Sequence, residues 1–200
     1  IKSAGKPVRL LILKARQFGV STNEILKMFD AVMWCRNVTA CILSHEQDSI
    51  KKLFRIVSRA YELMDEDLRP ELDRGGGSKY EFYFPSVNGR IYCDLESRGD
   101  TIQRLHVSEA AFFKDPNRLL ATLQAVPLDG TVTIETTPNG LGNHFYEWWV
   151  DSSAVYKKLF FPWFLHEEYA IESPMLIPNE EEQVFIDKAL KYFGVGINNA

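Results

Sequence analysis

Val8-Arg9-Leu10-Leu11-Ile12-Leu13 runs straight into Lys14-Ala15-Arg16-Gln17-Phe18-Gly19-Val20-Ser21-Thr22. Ile25, Leu26, Met28, Phe29, Val32 and Met33 then recur at helical spacing. The short apolar run predicts a buried strand, and the recurrence predicts a helix over 24–36 with Ser21 or Thr22 near its start. The pattern repeats downstream. Residues 38–43 predict a second buried strand, and Ile50, Leu53, Phe54, Val57, Ala60 and Tyr61 form the apolar stripe of a helix over 48–64. Residues 80–84 and 90–95 predict a hairpin around Asn88-Gly89. Leu105-His106-Val107 and Thr131-Val132-Thr133-Ile134-Glu135-Thr136 predict two more strands, separated by a helix near 117–125. Residues 156–161 add a fifth strand, and a helix over 180–192 ends before Gly194 and Gly196. Such alternation predicts an α/β fold, with a central, mainly parallel sheet flanked by helices.

Composition narrows the class without naming a function. The 200 residues are 46% hydrophobic and 25% charged, which excludes a disordered tail, a collagen-like repeat and a low-complexity linker. No apolar run approaches the roughly 18 residues of a membrane-crossing helix, so no membrane partner is expected. Residues 1–13 lack a small-residue cleavage site and do not read as a signal peptide. Cys35, Cys41 and Cys93 are odd in number and widely spaced, which predicts reduced thiols and not a disulfide framework. The chain opens on Ile and is expected to be a piece of something longer. The formal net charge is −4, unevenly spread: residues 1–60 hold eleven Lys and Arg against four Asp and Glu, and the remainder twelve against twenty-three. A basic first part suits phosphate, of a nucleotide or of DNA, or solvated helix faces. The loop 73–78, with three glycines, has no helix behind it and is not expected to cradle phosphate.

Three constellations carry chemistry, each placed where a predicted strand ends. Residues 14–22 partly match the phosphate-loop pattern G-x-x-x-x-G-K-[ST]. Gly19 fits the second glycine and Ser21 the hydroxyl, but Lys14 stands at the first glycine and Val20 at the lysine. Lys14 and Arg16 are then the nearby cations, and the competing reading is an ordinary turn with a capping Ser. Glu109, at the tip of the 105–107 strand, faces the ligand crevice of an open parallel sheet, where a carboxylate can orient or deprotonate water. It reads equally as a turn cap. Ser108 occupies the place where an Asp would steady magnesium. His106 lies mid-strand and is expected as a satisfied core histidine or a surface one, and not as a ligand. Thr136-Thr137-Pro138-Asn139-Gly140 is a polar turn suited to sensing a γ-phosphate, or simply a tight turn.

Taken together, these segments resemble the N-terminal ATPase domain of large terminase subunits, the motors that package DNA into tailed-phage heads. Residues 14–22 resemble that family's deviant Walker A segment, and Val107-Ser108-Glu109-Ala110-Ala111-Phe112 resembles its Walker B. The turn at 136–140, with Gly142-Asn143-His144-Phe145-Tyr146-Glu147 after it, resembles the coupling motif and its following helix. Phe161-Pro162-Trp163-Phe164 and Glu168-Tyr169 resemble the exit from the ATPase core. The resemblance implies a P-loop fold of the ASCE, RecA-like type over residues 1–164. Residues 165–200 would lead towards a nuclease domain that this chain does not contain, so nuclease activity is not expected here.

The resemblance also implies roles. Lys14, Ala15, Arg16, Gln17, Phe18, Gly19, Val20, Ser21 and Thr22 would bind ATP, with Ser21 and Ser108 towards Mg2+. Glu109 would be catalytic, supported by Arg16. Thr136, Thr137 and Pro138 would couple hydrolysis to movement. Arg98 would reach a neighbouring subunit's phosphates, with Arg104 in reserve. The implied partners are double-stranded DNA, the portal protein, the small terminase subunit and further copies in a ring, with a monomer in isolation. The implied place is the host cytoplasm at the procapsid portal. Val20 and Ser108 depart from the pattern, and the segment where adenine contacts usually lie precedes residue 1. Two rivals follow: a helicase-like P-loop ATPase on nucleic acid, and a degenerate P-loop domain that binds without turnover.

Overall fold

The computed structural model describes residues 7–73, 79–97, 99–151, 155–169 and 177–194. Among these, seven strands form one sheet: β1 (Arg9–Lys14), β2 (Thr39–Ser44), β3 (Glu81–Phe84), β4 (Gly89–Asp94), β5 (Arg104–Ser108), β6 (Thr131–Thr136) and β7 (Lys157–Phe161). The spatial order is β3-β4-β2-β5-β6-β1-β7. Every neighbouring pair is parallel except β3 with β4, the hairpin. Five helices accompany the sheet: α1 (Val20–Trp34), α2 (Gln47–Glu62), α3 (Pro116–Gln124), α4 (His144–Val150) and α5 (Glu180–Phe193). The expected α/β architecture is therefore present, and element boundaries shift mostly by one or two residues.

The strand alternation explains why these runs are apolar throughout. On β2, Ala40 and Ile42 face a layer built from Ile25, Met28, Phe29 and Val32 of α1 and Ile50 and Val57 of α2. Cys41 and Leu43 face the opposite layer, with Leu105, Val107, Val132, Ile134, Leu119 of α3 and Phe145 of α4. A strand covered on both faces has no solvent side to mark with polar residues. Each fully buried Leu, Ile or Phe in these layers contributes roughly 1.5–3 kcal/mol.

One glycine is required by contact. A Cβ at Gly89, where β4 begins, would stand 1.9 Å from the Val32 carbonyl oxygen of α1. Asn88 before it has φ 52°, the left-handed conformation that Asn tolerates in hairpin turns. The hairpin is thus seated against the helix by the absence of a side chain.

The largest boundary difference bears on the site. α1 begins at Val20, four residues before the position that periodicity alone predicts, with Gly19 as its N-cap. Residues 20–23 are exposed or half-buried, so they carry no apolar stripe to announce helix. In the glycine loop the chain's own apolar pattern is weak.

Candidate active site

All parallel strands of this sheet end on the same edge, so the C-terminal tips of β1, β5 and β6 come together. Leu13 is level with Thr136, and Ser108 is level with Glu135. β6 lies between the other two. Lys14, Ser108, Glu135, Thr136 and Thr137 are all buried there, an unusual concentration of polar groups in a closed sheet edge.

The loop between β1 and α1 turns through two left-handed residues, Gln17 at φ 62° and Gly19 at φ 67°. Ala15 N–H continues the sheet by donating to the Phe161 carbonyl at 2.9 Å. No side chain caps α1, so the capping-serine reading does not hold. The Ser21 hydroxyl instead donates to Glu135 Oε1 at 2.6 Å. Backbone N–H groups of the first helical turn are left for another acceptor, which is the usual arrangement at an anion site. Arg16 is exposed on the outer turn. Its carbonyl accepts from the Tyr169 hydroxyl at 3.1 Å, and His166 Nε2 lies 3.2 Å from the Gln17 carbonyl. The Phe18 ring sits edge-on to His166, with centroids 5.0 Å apart. The stretch after β7 therefore forms the outer support of this loop.

Glu135 is the hub. It is fully buried, its Oε2 lies 2.8 Å from Lys14 Nζ, and its Oε1 accepts from Ser21 and, at 3.0 Å, from the Ser108 hydroxyl. Burial works against its charge, but His106, Lys14 and the hydrogen bonds from Lys14 and Ser21 outweigh that and hold the carboxyl below its ordinary range. His106 Nε2 stands 3.7 Å from Glu135 Oε1, and burial drives the imidazole below its ordinary range. Of the two settings expected for His106, the structure has the core one. Neither ring nitrogen has a hydrogen-bond partner, however, which corrects the expectation of a satisfied histidine.

Glu109 follows directly after β5 with φ 57°, a conformation rare for a residue bearing a side chain. Its Oε2 accepts from Thr137 N–H at 3.0 Å and from the Thr137 hydroxyl at 2.9 Å. Its Oε1 lies 3.7 Å from Lys14 Nζ. Thr136 Oγ1 accepts from Ala111 N–H at 3.2 Å, and Asn139 Nδ2 donates to the Ala111 carbonyl at 2.9 Å. The turn after β5 and the turn after β6 are thereby laced together through the Glu109 carboxylate.

Among the solved structures similar in fold are two large terminases. The HK97 bacteriophage large terminase matches with a TM-score of 0.65 and 13% identity, over 94% of this chain and 44% of that one. The Thermus phage P74-26 large terminase ATPase domain matches with a TM-score of 0.58 and 18% identity, over 95% of this chain and 84% of that one. The fold is that of a large terminase ATPase domain. No protein-family model matches the sequence, and no curated protein does. The chain spans under half the length of the HK97 large terminase.

Within this fold, the sequence-predicted residues separate into groups. Lys14, Ser21, Ser108, Glu109, Thr136 and Thr137 converge. Val20 and Thr22 lie on the first turn of α1, with Thr22 exposed. Pro138 borders an apolar recess with Leu13, Ala111, Asn139 and Phe145. Arg104 starts β5, at the end of that strand remote from Glu109. Arg98 and residues 74–78 of the glycine-containing loop lie outside the described residues. Of the basic residues in the first part of the chain, Lys51, Arg55 and Arg59 of α2 line a groove with Lys79 and Glu62. The residue that sequence reasoning missed is Glu135. Its signal was a carboxylate inside an apolar strand flanked by two others, where a charge persists only if paired.

Among the described residues, no group of three His, Cys, Asp or Glu is placed to hold a metal ion. The donors near Ser21 are oxygens, from a hydroxyl and carboxylates. That set suits a magnesium ion brought by phosphates, and not a metal held by the protein alone.

Proposed function

We propose that this chain is the ATPase domain of a large terminase, hydrolysing ATP with Mg2+ to translocate double-stranded DNA into a procapsid. The observation that carries the reading is the convergence of Lys14, Ser21 and Glu109 at the tips of β1, α1 and β5, with Glu109 hydrogen-bonded to the Thr136-Thr137 turn. Residues 14–22 would receive the phosphates through backbone N–H groups and through Lys14 and Arg16, which replace the charge that Val20 lacks. Lys14 is the inner cation, between two carboxylates, and Arg16 the outer, exposed one. Ser21 would hold the magnesium ion with Ser108 behind it, and that ion, when bound, neutralises charge at the phosphates.

Thr137 fixes one oxygen of Glu109, leaving Oε1 to orient the attacking water and take up its proton. The water oxygen bonds to the γ-phosphorus as the bond to the bridging oxygen breaks, releasing ADP and phosphate. Loss of the γ-phosphate changes what faces Glu109, and Thr136-Thr137 carry that change to α4. Arg98, and Arg104 in reserve, are the residues proposed to complete a neighbour's site in a ring. Residues 1–164 are read as the motor core and 165–200 as the linker. DNA contacts should be phosphate-directed and salt-dependent, since a packaging motor does not select sequence. The portal protein and small subunit complete the proposed assembly in the host cytoplasm.

The test is a titration of Mg-ATP into wild type and Arg16→Ala, with turnover followed at rising protein concentration. The reading expects saturable binding in wild type, weaker binding in Arg16→Ala, and specific turnover that grows with concentration as neighbours meet. No binding at millimolar nucleotide would overturn it in favour of a vestigial loop.

A further inference from the structure

In a P-loop ATPase the hydroxyl at the start of the first helix reaches the magnesium ion, and a carboxylate behind it, usually an aspartate at the end of the next core strand, fixes its direction. Here that strand ends in Ser108, which has no charge. The carboxylate is found one strand over. Glu135 of β6 is level with Ser108 of β5, and β6 lies between β5 and β1. Its Oε1 accepts a hydrogen bond from the Ser21 hydroxyl at 2.6 Å, so both Ser21 lone pairs are left for a cation. The same oxygen accepts from the Ser108 hydroxyl at 3.0 Å, and Oε2 sits 2.8 Å from Lys14 Nζ.

Resting on the reading above, we infer that Glu135 is the positioning residue for the magnesium-binding hydroxyl, standing in for the missing aspartate, with Ser108 converted into its hydrogen-bond donor. The departure at Ser108 is then a relocation: the carboxylate has moved from β5 to β6. A fully buried glutamate gathers the loop hydroxyl, the loop lysine and the strand-end serine onto two oxygens. A glutamate placed there for stability alone would be costly, since an apolar pair of similar volume packs as well or better.

The experiment follows a fluorescent N-methylanthraniloyl ADP bound to the chain, at fixed nucleotide, as Mg2+ is added. The readout is the Mg2+ concentration at half effect, together with affinity in EDTA and the thermal midpoint. Glu135→Gln should raise the Mg2+ midpoint about 10- to 100-fold, the usual loss when a group behind a metal ligand is removed. It should leave binding in EDTA intact or tighter, because Lys14 is released from its partner. Ser108→Asp combined with Glu135→Gln, which returns the carboxylate to β5, should restore the midpoint to within a few-fold of wild type. A lowered thermal midpoint with an unchanged Mg2+ midpoint in Glu135→Gln would mean a structural role only, and would overturn the inference. Where Glu135→Gln fails to fold, the double variant decides: a wild-type-like Mg2+ midpoint supports the inference, and loss of Mg2+ dependence overturns it. A wild type that binds no nucleotide overturns both this inference and the function on which it rests, whereas a wild type with Mg2+-dependent binding and an insensitive Glu135→Gln overturns this one alone.

Discussion

The sheet has two unlike halves. Around β2, β4 and β3, the core packed under α1 and α2 is built from Ile42, Ile91, Phe84, Val57 and other hydrophobic residues, with Ser44 buried at the tip of β2. At the tips of β5, β6 and β1, Lys14, Ser108, Glu135, Thr136 and Thr137 are buried too, with His106 beneath them in mid-strand. The first half stabilises by removing apolar surface from water. The second places charges where desolvation opposes them, and holds them by mutual pairing. One half specifies the fold, and the other is a loaded site that the first half must support.

That contrast can be broken from either side. Phe84→Ala, in the apolar half, should lower stability by about 3–5 kcal/mol in denaturant unfolding and leave nucleotide affinity unchanged in the folded fraction. Lys14→Met, in the polar half, should cost a comparable ~3–5 kcal/mol, because it strands the Glu135 charge. The two losses have different cures. Combining Lys14→Met with Glu135→Leu should recover most of the stability while abolishing nucleotide binding, and no polar partner rescues Phe84→Ala. A double variant as unstable as Lys14→Met alone would show that the pair is not the source of the cost. The smallest effect is at the loop. Gly19→Ala should cost about 1–2 kcal/mol through its left-handed backbone alone, since nothing lies within 4 Å of the added carbon. A loss much above that would mean the loop is packed more tightly than its surroundings show.

The apolar half was also the legible half. Runs such as 38–43 and the stripe from Ile50 to Tyr61 repeat with a period that names their element, and the Asn88-Gly89 turn marks the hairpin. The order of the three strand-end motifs was readable too, because each follows an apolar run. Glu135 was not, because a carboxylate's partners depend on register: only the level pairing of Ser108 with Glu135 brings Ser21, Ser108 and Lys14 onto one group. The early start of α1 escaped for a related reason. Its first turn is organised by the Gly19 backbone and by a hydroxyl bonded across the sheet, neither of which leaves a periodic trace.

The central claim, that the polar edge is a hydrolytic site, is tested most directly by Glu109→Gln. Its carboxylate accepts from Thr137 and touches the core little, so the amide should preserve folding. ATP turnover and ATP affinity would be measured on wild type and variant over the same range of protein concentration. The account predicts affinity within about twofold of wild type and turnover lower by roughly 10²–10⁴-fold, the range for loss of a general base. Turnover equal to wild type, with Glu109→Gln folded and binding ATP, would contradict it.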